Sequence, residues 1–220
     1  MKNEREAADL WVEERRFWEA GCACICGADE AGAGPLAGPV YAAAVILPPE
    51  RVIHGLNDSK KLTAHRREEL FDQICAEARA YAVVSVDERT IDAIDILNAR
   101  IRAMDEAIRQ LAQKPDFALI DGNRDHGSRC SISMPHALLV KGDSRSANIA
   151  AASVLAKVSR DRYMERLAEE YPKYGFEQHK GYGTKQHYAA LDCYGPCQAH
   201  RRSFLVKWEA RRSECEKVDR

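Results

Sequence analysis

Apolar side chains recur at helical spacing between residues 4 and 19 (Ala7, Leu10, Trp11, Phe17, Trp18), which predicts an amphipathic helix. The pattern then changes. Cys22–Ala28 reads as a short strand, and Asp29–Pro39 is a loop rich in glycine and proline. Val40–Leu47 is an unbroken run of eight apolar residues stopped by Pro48-Pro49, the pattern of a strand buried on both faces. A polar, lysine-bearing loop follows at Asn57–Leu62. Thr63 is suited to cap a helix running to about Ala78, with Leu70, Phe71 and Ile74 on its inner face. Tyr81–Val86 predicts a third strand, and Ile91–Gln113 a long helix ended by Pro115. Phe117–Ile120 and Ala137–Val140 predict two more strands, ending in Asp121-Gly122-Asn123 and Lys141-Gly142-Asp143. An alanine-rich helix spans Ser146–Glu170, and Tyr171-Pro172 stops it. From Lys173 onward the chain mixes glycine-rich loops with short helical pieces. The pattern is that of an α/β sheet with a helical extension packed against it.

Composition narrows the class. At 220 residues, with 45% apolar and 30% charged side chains, the chain is able to bury a sizeable core. No apolar run approaches the roughly 20 residues of a membrane helix. The N-terminus is charged from Lys2 and lacks the apolar stretch of a secretory signal, so the expected location is the cytoplasm. The net charge of -1 hides an asymmetry: residues 1–140 carry 17 basic and 23 acidic side chains, residues 141–220 carry 16 and 11. A phosphate backbone responds to a local basic face, although such a split is also common in solvated proteins. None of the eight cysteines has a Cys-x2-Cys partner, and Cys22, Cys24 and Cys26 alternate as they would on one face of a strand. The eight read as reduced, and these three as small buried thiols.

The chemistry concentrates where strands end. Asp29 and Glu30 follow the first predicted strand, Asp121 the fourth and Asp143 the fifth. Carboxylates at neighbouring strand ends meet in one cleft, because strands lie only about 4.8 Å apart. Hard oxygen donors select Mg²⁺ or Mn²⁺ over zinc, and two such ions suit an in-line phosphoryl displacement. Each acid alone is better explained by a turn, since Asp is enriched there; all four at strand ends shift the balance toward a site. In Gly32-Ala33-Gly34 the glycines open the backbone to a ligand, or simply make a tight turn. Downstream, basic and aromatic residues interleave: Tyr171, Lys173, Tyr174, His179, Lys180, Tyr182, Lys185, His187, His200, Arg201 and Arg202. Tyrosines stack on sugars or bases while Lys and Arg take phosphates.

Seven blocks together resemble the ribonuclease HII family. They are Asp29–Val40 (DEAGAGPLAGPV), Leu56–Leu62 (LNDSKKL), Ile120–Asn123 (IDGN), Lys141–Ser144 (KGDS), Ala151–Asp161 (AASVLAKVSRD), His179–Thr184 (HKGYGT) and His200–Phe204 (HRRSF). The resemblance implies a ribonuclease-H-like fold: a mixed five-stranded sheet flanked by helices, with a C-terminal helical extension. It divides the chain into an N-terminal helical extension (1–20), a catalytic core (21–170) and a basic substrate-binding part (171–220). The implied activity is an endonuclease on RNA–DNA hybrids and on duplex DNA with embedded ribonucleotides, acting as a monomer away from membranes. Asp29, Glu30, Asp121 and Asp143 are implied to bind two Mn²⁺ or Mg²⁺ ions. The ions promote water attack 5′ of the ribonucleotide, leaving 3′-hydroxyl and 5′-phosphate ends. Gly32, Ala33 and Gly34 are implied to read the 2′-hydroxyl through their backbone, and Tyr182 to stack on the following deoxyribose. Lys60, Lys61, Lys180, Arg201 and Arg202 are candidates for phosphate contacts, and Asp161 for orienting neighbouring groups.

One departure stands out: the family pattern has Arg where this chain has Ala33. Backbone contacts to a 2′-hydroxyl survive that change, and a cationic group near the junction phosphate is lost. Two other readings compete, a non-catalytic hybrid-binding protein on the same fold and a zinc module built from the cysteines.

Overall fold

The computed structural model describes residues 9–56 and 63–218. The predicted loop Asn57–Leu62, with Lys60 and Lys61, and the first turn of the predicted N-terminal helix lie outside the described residues. Five strands form one mixed sheet in the order β3-β2-β1-β4-β5. They are β1 (Ile25–Ala31), β2 (Val40–Ile46), β3 (Ala80–Val86), β4 (Phe117–Asp121) and β5 (His136–Leu139). β1 pairs antiparallel with β2 and parallel with β4, so the sheet changes sense at its centre.

The helices are α1 (Val12–Glu19), α2 (Ala64–Glu77), α3 (Glu88–Ile94), α4 (Ile96–Gln110) and α5 (Ala147–Glu170). The C-terminal part adds α6 (Phe176–His179), α7 (Lys185–Tyr194) and α8 (Arg202–Val218). Thr63 caps α2 through its side chain as predicted, and Leu70 and Ile74 are buried on its inner face. The single helix predicted over Ile91–Gln113 is instead two. Asp95 adopts a positive φ of 67° and its carboxylate accepts from Asn98 N, which ends α3 and caps α4 in one residue.

β1 starts three residues later than predicted and runs through Asp29 and Glu30 to Ala31, because β2 continues to pair with it there (Ala31 opposite Tyr41). The two acids therefore sit on the strand, not after it. Cys22 and Cys24 precede β1, and the three thiols do not share one face as expected: Cys24 and Cys26 pack under α4, while Cys22 packs with Phe17 and Phe117, and of the three only Cys26 is fully buried.

One face of the sheet is covered by α4, with Ala99, Ile101, Ala103, Met104 and Ala107 buried against β1–β4. The other is covered by α2 and α5. The inner face of α5 is mainly alanine, and small side chains bring its axis close to β1. Gly27 is required at the contact, since a Cβ there would lie 2.2 Å from Ile149 N. A third cluster joins Met164 and Leu167 of α5 to Phe176, Leu191, Leu205 and Trp208, which ties the C-terminal helices to the core.

Candidate active site

Strand register brings the acids together. Ala28 of β1 lies opposite Ile120 of β4, so Asp29 and Asp121, the next residue of each, emerge side by side. Parallel neighbours at this separation of about 4.8 Å put two carboxylates within mutual repulsion. Asp29 is only 6% exposed. Burial pushes its carboxyl well above the usual range, and the charges of Glu30 and then Asp121 push it further. Hydrogen bonds from the Ser153 hydroxyl and the Glu30 N–H act in the opposite direction.

Each of these carboxylates has a protein partner. Asp29 takes the Ser153 hydroxyl of α5. Glu30 Oε1 lies 3.3 Å from Arg100 Nε of α4. Asp121 Oδ1 accepts from Gly142 N at 2.7 Å, which ties the end of β4 to the 3-10 turn Gly142–Ser144 that carries Asp143. Among the described residues, no group of three or more His, Cys, Asp or Glu is assembled as a ready cation site, the carboxylates and the cysteines alike. The donor set nevertheless fits a hard divalent cation: it is all carboxylate oxygen, and a cation would relieve the repulsion and desolvation now borne by Asp29.

A cavity of about 380 Å³ opens over the strand ends, lined by Asp29, Glu30, Asp121 and Gly32 on one side and by Arg67, Ser153, Lys157 and Tyr182 on the other. Asp143 is half-buried on its turn and is not among the lining residues. Ser153, Lys157 and Arg67 were not singled out from sequence. The first two stand one helical turn apart on α5, a spacing that marks a shared face once the sheet side of that helix is known. Asp161, a further turn along, accepts from Lys157 Nζ at 2.5 Å.

The glycine loop is held from behind by two buried arginines. Arg201, fully buried, donates to Gly38 O (2.8 Å), Ala33 O (3.1 Å) and Gly32 O (2.7 Å). Arg160, 1% exposed, donates to Pro39 O, Ala37 O and Lys180 O at 3.0–3.1 Å. Burial, and then the charge of Arg160, push Arg201 down to about 9. The phosphate contact expected of Arg201 is thus corrected: all of its guanidinium nitrogens are spent on loop carbonyls, and none faces solvent. Gly32 must be glycine on two counts, a φ of 93° and a Cβ position 2.0 Å from Arg160 Nε.

Tyr182 sits on the turn after α6, where Lys180 and Gly181 both take positive φ. Its ring is 46% exposed and faces Gly34, 3.8 Å from where a Cβ would stand. Lys180 turns to Glu165 of α5, with Nζ 2.8 Å from Oε1, and lies outside the cavity. The Arg202 side chain is exposed on the first turn of α8.

In the comparison with known proteins, the ribonuclease HII family model matches residues 26–207. The chain belongs to the ribonuclease HII family. Ribonuclease HII of Caldicellulosiruptor bescii is 50% identical over 192 residues, covering 87% of this chain and 91% of that protein. Ribonuclease HII of Burkholderia thailandensis is 52% identical over 187 residues, covering 84% and 85%. The crystal structure of ribonuclease H2 from Pyrococcus horikoshii OT3 superposes with a TM-score of 0.71 at 26% identity, covering 86% of this chain and 98% of that one. Membership in the ribonuclease HII family makes the chain a metal-dependent endoribonuclease that acts on the RNA strand of RNA–DNA hybrids. No helix among the described residues is long and apolar enough to cross a membrane.

Proposed function

We propose that this cleft also nicks duplex DNA on the 5′ side of a single embedded ribonucleotide, leaving 3′-hydroxyl and 5′-phosphate ends. The supporting observation is the shared cavity: Gly32 and Tyr182 line the same space as Asp29, Glu30 and Asp121. A group that reads a 2′-hydroxyl and a ring that stacks on the next sugar therefore adjoin the carboxylates.

Asp29, Glu30, Asp121 and Asp143 would hold the Mn²⁺ or Mg²⁺ ions, which supply an activated water and stabilise the leaving oxygen. The remaining work falls to the chain. Gly32 and Gly34 expose backbone to the ribose edge, and the carbonyls of Gly32 and Ala33, anchored by Arg201, keep that backbone in one orientation. Tyr182 offers its half-exposed face to the deoxyribose on the 3′ side. Lys157, held by Asp161, and Arg67 present positive charge to the phosphates on the α5 and α2 side. Residues 171–220 serve this reading as the substrate-binding part, through Tyr182.

The test is cleavage of a duplex with one ribonucleotide in Mn²⁺, in Mg²⁺ and in chelator, beside an Asp121→Asn control. A single 5′ nick that needs the metal and the carboxylate is expected. Cutting without metal, or none under any condition, overturns the reading.

A further inference from the structure

The matched family stretch begins at residue 26, and α1 lies before it. This helix nevertheless carries two buried acids, Glu13 at 1% and Glu14 at 0% exposure, where surface helices normally place apolar residues. Both reach the segment between Asp143 and α5. Glu14 Oε1 accepts from the Ser146 hydroxyl at 2.6 Å and from Asn148 N at 3.1 Å, at the first turn of α5. Glu13 pairs with Arg145, two residues after Asp143. The second oxygen, Oε2, of each is buried without a hydrogen bond; that of Glu13 lies 3.6 Å from the Arg16 guanidinium, and that of Glu14 bears a cost unusual for a contact that merely packs a helix.

The gripped segment is linked onward to the site. Arg145 N and Ser146 N donate to Gly142 O at 2.9 and 2.8 Å, and Gly142 N donates to Asp121 Oδ1. A chain of direct contacts thus runs from the two glutamates through the 3-10 turn to both Asp143 and Asp121. The helix itself is firmly seated: Trp11 is buried and its Nε1 donates to Arg51 O at 3.2 Å, and Phe17 stacks on Phe117 of β4 at 4.5 Å.

We propose that Glu13 and Glu14 are positioning residues for the metal-binding turn, and that α1 sets the affinity of the site for divalent ions by fixing where Asp143 and Asp121 stand. The inference rests on the reading of Asp143 and Asp121 as ion ligands. Supports of this kind, one contact removed from a metal, change affinity about ten- to hundredfold when removed.

The experiment is Mn²⁺ binding to the full chain without substrate, followed by calorimetry or by the electron paramagnetic resonance of free Mn²⁺. Melting temperatures in chelator are recorded alongside. Glu13→Ala and Glu14→Ala are expected to weaken Mn²⁺ binding about tenfold or more at temperatures where both remain folded. Glu14→Gln keeps an acceptor for Ser146 and Asn148 and is expected to restore most of the affinity, and Glu13→Ala carries the test if Glu14→Ala does not fold. Asp143→Asn separates the two layers. If it leaves Mn²⁺ binding intact, the ligand reading fails. If it weakens binding while the glutamate variants lose only melting temperature, the ligand reading stands and the positioning role is overturned.

Discussion

The imidazoles of His187 and His200 meet through their Nε2 atoms, 3.0 Å apart and buried. One set of tautomers satisfies every contact. Cys197 N donates to His200 Nδ1 at 3.0 Å, so His200 carries its proton on Nε2 and donates to His187 Nε2. The Nδ1–H of His187 then donates to Tyr182 O at 3.0 Å. His179 stacks on His187 at 4.4 Å, accepting from Gly181 N and donating to Tyr174 O. Neutral rings therefore hold the turn that presents Tyr182.

That network makes stability depend on pH. Burial holds His187 down at about 4, and burial together with the neighbouring His187 holds His200 at about 3. In the unfolded chain both titrate near 6.5. Between those values the unfolded state binds protons that the folded state refuses. The contribution is complete above pH 6.5 and is lost as pH falls through about 4. Urea midpoints measured from pH 8 to 4 should decline below 6.5, by up to about 1.4 kcal/mol per pH unit for each histidine. In His187→Gln/His200→Gln the decline should be shallower; an equal slope in both proteins would contradict the network.

Arg201→Ala leaves the carbonyls of Gly38, Ala33 and Gly32 without their donor in a buried site. A loss of about 3–5 kcal/mol is expected from thermal or urea unfolding. Arg201→Lys should recover little, because one ammonium cannot span three carbonyls in the plane of a guanidinium. Were Arg201 a phosphate contact, the salt dependence of substrate binding would change and stability would not.

Asp29→Asn replaces a carboxyl whose charged form is disfavoured by burial and by the charges of Glu30 and Asp121. In chelator at neutral pH the variant should melt at a higher temperature than the parent while hybrid cleavage is abolished. Mn²⁺ should raise the melting temperature of the parent well above any effect on the variant. A variant less stable than the parent in chelator would refute the electrostatic account.

Ala33→Arg restores a cation beside the loop whose backbone Arg201 holds. A charge-assisted hydrogen bond contributes about 1.5–3 kcal/mol. On a duplex with one ribonucleotide the KM should therefore fall by about tenfold or more with little change in kcat. Identical kinetics at low enzyme would show that the missing side chain is immaterial.

Much of this was legible along the chain, and the misses have local causes. The eight-residue apolar run became β2 almost to the residue, since a strand buried on both faces has no other pattern. Thr63 caps its helix as expected because a cap needs only its own side chain and an N–H three residues on; Ser146, expected as the first residue of its helix, is its cap. The long helix over 91–113 hid its break, because Asp95 reads as an ordinary polar position until its positive φ and its bond to Asn98 are seen. Arg201 was misread because a basic residue among tyrosines looks the same whether it faces a phosphate or a buried row of carbonyls.

The sequence by itself determined the five strands in their chain order and the family. These depend on short-range periodicity and on motifs whose residues are contiguous. The tertiary structure alone decided which side chains share the cavity, which cations are spent inside the protein, and that a helix outside the matched stretch reaches the turn bearing Asp143. Those relations join residues as far apart as Glu14 and Ser146 or Gly32 and Arg201. Distance of that kind is set by how sheet and helices pack, and no local pattern encodes it.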